Sequence, residues 1–303
     1  MNLIWLPASL LGGLFQAWRT ALQQRIRSQL SVSGAGLVRY LYGLPFAALI
    51  TAAWLWVHNL AIPTMNIGFF ALAFLAATTQ MAGTIFLISS FGHGGFVVGT
   101  AFSKTEAIQA ALVTALFFGD HLPALAWVGI LCGVAGVFTL VASGQSLSTA
   151  QWLRSLRQPA ALYGISAGTM FAGTAIAVKY STEALPRVDL VGSAFVALTV
   201  VMAIQSVLHL AWIICFDRAT LGPVFRSWRT SGQVGLLSAL GSACWYTGFA
   251  AAPAALVRVV GQVEVIFTIA FAHFYLHERI KPHEVMGLML VGAGVILALA
   301  ATF

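Results

Sequence analysis

The sequence predicts an all-α membrane protein in which ten transmembrane helices form two inverted five-helix repeats. Three observations lead to this fold class: few charged residues, a series of long apolar runs, and an internal repeat. Of the 303 residues, 60% are hydrophobic and only 8% are charged, whereas about a quarter of the residues in soluble domains are charged. Because lipid offers the backbone no hydrogen bonds, these runs are expected to be helices, each of about 20 residues.

The apolar runs predict ten spans joined by mostly short polar connections. They lie at 3–23, 34–57, 66–89, 95–118, 123–143, 159–179, 189–215, 231–250, 254–276 and 283–302. The tetrapeptide Gly92-His93-Gly94-Gly95 is expected to form the turn between the third and fourth spans. We expect a first repeat at 1–143, a cytoplasmic linker at 144–158 and a second repeat at 159–303.

The connections also predict the orientation, because cytoplasmic loops of membrane proteins are enriched in Lys and Arg. Most basic residues of the connections lie in the odd-numbered ones, counted from the N-terminus. Both termini are therefore expected outside a cell inner membrane, and the net charge of +7 indicates topology rather than nucleic-acid binding. The basic residues concerned are Arg25, Arg27, Arg154, Arg157, Arg218, Arg226, Arg229, Arg279 and Lys281.

An offset of 158 residues aligns the two halves of the chain. It places Glu106 on Glu264 and Asp120 on Glu278, two acidic matches in a chain with only 8 acidic residues. Five spans in each half make the second half enter the membrane inverted. Inverted repeats with a binding site between them are common in secondary transporters. Further matches are Gly129 with Gly287, Gly136 with Gly294, and Ala142 with Ala300.

Two stretches, Ser103–Ala142 and Gly261–Ala300, resemble the tandem repeats of EamA-type transporters in the drug/metabolite transporter superfamily. In that family the fourth helix of each repeat carries a Glu, usually followed by Pro, and ends in a Gly-Glu-Arg-like turn. Neither Glu is followed by Pro here. The resemblance implies ten helices and transport of small metabolites or drugs without ATP. The matching strings are Thr105-Glu106-Ala107 with Gly119-Asp120-His121, and Val263-Glu264-Val265 with His277-Glu278-Arg279.

Charged residues within the predicted spans need a physical reason, because each costs at least about 2.5–3.5 kcal/mol on insertion. Glu106 and Glu264 either face a central cavity or hold neighbouring helices together. Lys104 and Arg258 lie early in the same two spans, where long side chains either reach the interface or bind an anion.

The first span carries a polar stripe, formed by Gln16, Arg19, Thr20 and Gln23 at helical spacing. Such a stripe faces protein or water, so it either lines the path or makes interhelical hydrogen bonds. Trp245 and Tyr246 lie mid-span, where they form either packing or a flat wall for a cationic group. The predicted substrate-binding residues are Gln16, Arg19, Gln80, Glu106, Trp245, Tyr246, Arg258 and Glu264.

The surroundings of the two glutamates predict different roles for them. Three residues on, Glu106 meets Gln109 while Glu264 meets Phe267. Apolar neighbours favour the neutral carboxyl form, and a hydrogen-bond donor favours the charged form. Glu264 is therefore the candidate for proton coupling, and Glu106 the candidate for a fixed anion.

These features predict a secondary transporter with alternating access that exports a small polar or amphipathic metabolite, such as a zwitterionic amino acid. The alternatives are efflux of organic cations and, in a different class, an intramembrane enzyme. The sequence has no Gly-x-Ser-x-Gly motif and no phosphate loop ending in Gly-Lys-Ser/Thr, so we expect no enzyme, metal or cofactor. The expected partners are the substrate, the bilayer and protons as coupling ion, with the chain a monomer.

Overall fold

The computed structural model of the protein consists of helices joined by turns and irregular connections, with no strand among the residues that it describes, which are 3–117, 119, 123–141, 157–186, 189–275 and 282–300. Several sequence predictions lie outside them. These are the acidic pair Asp120 and Glu278, the basic residues Arg154, Arg187, Arg279 and Lys281, and nearly all of the linker at 144–158.

In the described residues, six α-helices precede the linker and seven follow it. The first six are α1 Trp5–Ile26, α2 Val32–Leu41, α3 Gly43–Val57, α4 Ile67–Ser103, α5 Glu106–Phe117 and α6 Ala124–Val141. A short 3-10 turn at Arg218–Thr220 precedes α9. The later helices are α7 Pro159–Glu183, α8 Leu190–Phe216, α9 Leu221–Arg226, α10 Trp228–Ala251, α11 Ala254–Gly261, α12 Glu264–Phe274 and α13 Pro282–Ala300.

Among the described residues, six segments are long and apolar enough to cross a membrane, and each coincides with a predicted span. The first span, α1, is not among them, since it carries the polar stripe. The full count of ten spans stays a prediction. The six are Val32–Val57, Ile67–His93, Pro159–Glu183, Leu190–Phe216, Trp228–Ala251 and Ala254–Phe271.

The helical segment α4 covers the third predicted span and part of the fourth, but it is not straight. A Cβ atom built on Gly99 would overlap the Ser90 side chain. Nine residues of straight helix would separate these positions by about 13.5 Å. The chain therefore reverses direction between Ser90 and Gly99, where the turn at Gly92-His93-Gly94-Gly95 was predicted.

Three predicted spans are interrupted within the membrane segment. The span at 34–57 breaks at Tyr42, the span at 95–118 breaks at 104–105, and the span at 254–276 breaks at 262–263. Apolar periodicity does not reveal such breaks, because the residues on both sides of each break remain helical and apolar.

Local sequence explains where several helices begin. Ser31 accepts a hydrogen bond from the Gly34 backbone N–H at 3.1 Å and caps α2. Asp189 caps α8 in the same way through Gly192. Pro159 stands in the first turn of α7, where its missing N–H and fixed φ favour the helix. These caps place the ends of three helices within one or two residues of the predicted spans.

Hydrogen bonds between connections sort the helix ends into two groups. Arg25 donates to the Tyr275 hydroxyl at 2.9 Å, which joins the first predicted connection to the end of the ninth span. Asn66 donates to the Ala184 carbonyl at 3.4 Å, which joins the start of the third span to the sixth connection. In these bonds the odd-numbered connections lie together and the even-numbered ones lie together, while the side that is cytoplasmic stays a prediction. Further bonds of this kind are Arg27–Ile88, Ser31–Thr220 and Trp54–Asp189.

The main helix packing pairs one helix before the linker with one helix after it. Helix α1 packs on α10, α4 on α7, and α6 on α13. A Cβ atom on Gly294 would come within 2.6 Å of backbone atoms of Gly129 and Gly133, so α13 and α6 approach closely. The two halves thus share an extensive interface, and the polar residues lie within it.

Candidate functional site

Two broken helices meet at the centre of this interface. Helix α4 ends at Ser103 and α5 begins at Glu106, while α11 ends at Gly261 and α12 begins at Glu264. The offset between the two breaks is the 158 residues of the sequence repeat. Each glutamate thus opens a helix, where the unpaired N–H groups of the first turn favour negative charge.

The two glutamates form ion pairs that cross between the halves. Lys104, from the first half, binds the Glu264 carboxylate of the second. Arg258, from the second half, lies 3.3 Å from Glu106 Oε1 of the first. Lys104 Nζ is also 3.8 Å from Glu106 Oε1. All four side chains are buried, with at most 6% of each residue exposed. We call this cluster the crossed ion pairs.

Helix α1 joins the crossed ion pairs through Gln16. Its side chain donates to Glu264 Oε2 at 2.8 Å, and a Cβ atom on Gly13 would lie 3.4 Å from Glu264. Gln109 donates to the Thr105 hydroxyl at 3.1 Å. Glu264 therefore has polar partners, Gln16 and Lys104, where its sequence neighbours indicated apolar surroundings. Its role in proton coupling stays a prediction.

The aromatic residues of α10 pack against a cation. The Arg258 guanidinium carbon lies 5.0 Å from the ring centroids of both Trp245 and Phe249, within the range of cation–π attraction. The Trp245 ring lies between Gly12 and Gly261, where an added Cβ atom would crowd it from either side. Trp245 therefore holds Arg258 inside the bundle and does not form an interfacial belt.

Beside Arg258 lies a small closed cavity of about 20 Å³, enough for one water molecule. A metabolite does not fit into it in this conformation. Four of the predicted binding residues line it together with Arg258, while Glu106, Glu264 and Arg19 do not. Its wall is formed by Gln16, Arg39, Gln80, Phe171, Thr174, Val178, Ser242, Trp245, Tyr246, Phe249 and Arg258.

Arg39 was not among the binding residues that the sequence predicted. Arg39 is buried, with 3% exposed, and donates to the Thr84 hydroxyl at 2.6 Å. Tyr40 donates to the same hydroxyl at 3.0 Å. A basic residue inside an apolar run was the signal that could have identified it.

The polar stripe of α1 faces a cavity at one residue and a neighbouring helix at another. Gln16 lines the cavity, whereas Gln23 donates to the Ala35 carbonyl at 2.8 Å and holds α1 against α2. Between them, Arg19 is buried and donates to Thr20 Oγ1 at 3.2 Å. Arg19 is therefore inside the bundle but not on the cavity wall.

A wider cavity of about 320 Å³ lies near the ends of α7 and α10. Its volume is in the range of small-molecule sites. Thr182 and Ala250 belong to its wall, and Val178 and Phe249 of the closed cavity lie up to one helical turn before them. We call this wider cavity the vestibule. About one turn of protein separates it from the closed cavity.

Residues 158–300 match the model of the EamA-like transporter family. The second half of the chain is an EamA domain. This family belongs to the drug/metabolite transporter superfamily, so the predicted resemblance is confirmed in the half that contains Glu264. Together with the apolar helices, the EamA domain identifies a multi-pass membrane transporter.

Solved structures extend the likeness to the whole chain. One described as "Crystal structure of protein" superposes with a TM-score of 0.65 at 16% identity, and covers 97% of this chain and 98% of that one. At this identity the match shows the fold alone. No curated protein sequence matches the chain.

Proposed function

We propose that this EamA protein is a secondary transporter that moves a small polar metabolite by alternating access between its two halves, 1–143 and 159–303. The crossed ion pairs carry this proposal. They join the halves at two equivalent helix breaks and lie beside a closed cavity. The vestibule supplies an entrance about one helical turn away.

Alternating access requires the halves to separate first on one side and then on the other. The crossed ion pairs tie the halves together, so they must rearrange at each step. Lys104 binds Glu264 and lies 3.8 Å from Glu106, so a small movement exchanges its partner. A proton on Glu264 would remove the negative charge that holds Lys104. We therefore propose Glu264 as the proton-coupling residue.

The proposed substrate contacts are the residues around the closed cavity, with Gln16, Gln80, Trp245, Tyr246 and Arg258 as predicted from the sequence. In this proposal Glu264 positions Gln16 and Glu106 positions Arg258, while Arg19 contributes charge from behind the wall. Both charged residues of the described wall are arginines, which argues against organic cations as substrates. Export across the inner membrane by a monomer, with both termini outside, completes the proposal.

Reconstituted protein tests this function directly. Proteoliposomes loaded with labelled amino acids and organic acids, with and without a pH gradient, should show protein-dependent flux. Glu264→Gln is expected to abolish the pH-driven component but to retain part of the exchange, as a permanently neutral side chain would. Asp217→Asn, which changes a carboxylate near the end of α8, is the control and should transport normally. Absence of flux for every compound would overturn transport, and pH-driven flux in Glu264→Gln would overturn the coupling role.

A further inference from the structure

The buried charges of the described residues do not balance. Four cations lie inside the bundle against two carboxylates, and both carboxylates belong to the crossed ion pairs. Among the residues described, neither Arg19 nor Arg39 has a carboxylate within 4.0 Å. Uncompensated charges in a membrane interior are expensive and mark functional sites. The buried charged residues are Arg19, Arg39, Lys104, Glu106, Arg258 and Glu264.

The wall of the closed cavity repeats this imbalance locally. Its described residues include Arg39 and Arg258 but no acidic residue. Four donor groups of the wall are buried and lack an acceptor within the described part of the chain: the Nε atoms of Arg39 and Arg258, Trp245 Nε1 and the Tyr246 hydroxyl. Since buried polar groups are nearly always hydrogen-bonded, this wall needs a ligand that accepts hydrogen bonds.

We propose that the substrate of this transporter is a small organic anion whose carboxylate is held between Arg39 and Arg258. This inference rests on the proposed function, and it names the substrate class of the same cavity. A guanidinium matches a carboxylate through two parallel N–H donors. Trp245 and the Tyr246 hydroxyl supply further donors, and the ring of Phe249 supplies an apolar wall for the carbon skeleton.

The same wall disfavours the other substrate classes. An organic cation would face two guanidinium groups with no carboxylate among the described wall residues. A neutral zwitterion gains the same carboxylate contacts but brings its ammonium group close to like charges. A second carboxylate would instead offset more of the excess positive charge, so dicarboxylates should bind best.

Thermal unfolding of the detergent-purified protein tests this inference without a transport assay. Four-carbon compounds of equal length but different charge serve as probes: succinate, aspartate, asparagine and 1,4-diaminobutane, with three- to six-carbon carboxylates added at constant ionic strength. Carboxylates should raise the Tm by several degrees in a saturable manner, in the order succinate, aspartate, asparagine. The diamine should have no effect. Stabilisation by the diamine, by inorganic phosphate alone, or by none of the carboxylates would overturn the proposal.

Two variants assign the binding to the cavity. Tyr246→Phe removes a single hydroxyl, and removal of an unpartnered buried group leaves stability unchanged or improved. We expect an unchanged or higher Tm without ligand, together with a several-fold loss of carboxylate affinity. Arg39→Gln should lower the carboxylate affinity at least tenfold. Arg218→Gln, at an exposed arginine, should bind as the native protein does. Unchanged affinity in Tyr246→Phe and Arg39→Gln would overturn the site.

The binding experiment and the flux experiment can each contradict one proposal without contradicting the other. Carboxylate binding at this cavity without flux of any compound would contradict the transport function and leave the anion site standing. Flux of zwitterions or diamines that is insensitive to Tyr246→Phe would overturn the anion proposal and leave transport standing.

Discussion

Glu106 and Glu264 occupy equivalent positions in the two repeats, but their partners differ. Glu264 binds Lys104 and accepts a hydrogen bond from Gln16 at 2.8 Å. Glu106 has Arg258 at 3.3 Å, and its Oε2 atom is buried without a partner among the described residues. The repeat therefore places a carboxylate at two equivalent positions, and Glu264 has closer polar partners than Glu106.

The residues inside the helix breaks account for part of this difference. Lys104 lies in the first break, and its equivalent in the second is Gln262. The Gln262 amide is buried, has no hydrogen-bond partner in the described segments, and lies against Gly133. The position equivalent to Arg258 in the first repeat is Thr100. The backbone break is thus duplicated, whereas the cations stand at unrelated positions.

The largest expected effect is that of Glu264→Gln on stability. It leaves Lys104 buried, with Glu106 at 3.8 Å as the remaining carboxylate. Removing one member of a buried ion pair costs about 3 kcal/mol or more. Chemical unfolding in detergent should show a larger loss than for Glu106→Gln, and the double variant Lys104→Met/Glu264→Gln should recover much of it. An equal or larger loss in Glu106→Gln would break the comparison.

The second effect concerns Gly261, whose equivalent in the first repeat is Ser103. Gly261→Ala would push a methyl group into the Trp245 ring, which Gly12 confines from the other side. Overpacking of this kind costs about 1–3 kcal/mol. The control is Gly232→Ala, a helical glycine with open space around it, which should gain up to about 1 kcal/mol from helix propensity. Similar unfolding midpoints for the two variants would show that the space between Gly261 and the Trp245 ring tolerates a side chain.

Glu106→Gln should have a smaller effect on stability than on binding. Arg258 keeps its contacts with the two aromatic rings and its hydrogen bond to the Phe171 carbonyl at 3.3 Å, so we expect a loss of about 1.5 kcal/mol. Because Arg258 lines the cavity, ligand affinity should change as well. A Tm titration with ligand reports the affinity and a chemical unfolding curve reports the stability, so the two measurements separate these effects. Unchanged affinity would make Glu106 purely structural.

The smallest effect should come from Gln262 in the second break, and its sign should be opposite to that of Lys104 in the first. Gln262→Met removes an unpartnered buried amide and should raise the free energy of unfolding by up to about 1 kcal/mol. Lys104→Met, at the equivalent position, removes the cation from Glu264 and should lower it. If both substitutions destabilise by the same amount, the two breaks are equivalent in use as well as in position.

The sequence predicted the helices and five of the residues that line the cavity, Gln16, Gln80, Trp245, Tyr246 and Arg258, because helical periodicity is a local pattern. It did not predict the helix breaks, since no Pro follows Glu106 or Glu264 and each break lies within a long, mainly apolar run. The crossed ion pairs join residues more than 150 positions apart, so they depend on how α5, α11 and α12 pack. Helical spacing placed Arg19 on the right face of α1, but it gives no information on whether a side chain reaches the cavity.

The unequal number of buried cations and carboxylates has an electrical consequence. Moving one elementary charge through a full potential of 100 mV changes the free energy by about 2.3 kcal/mol. Any step that shifts the arginines within the membrane therefore responds to voltage. In the proposed transport cycle, the positive excess without a bound anion is drawn towards the negative side of the membrane, so the potential would determine which way the empty cavity faces. A bound carboxylate would reduce that force, and the loaded step would then depend less on voltage than the empty return.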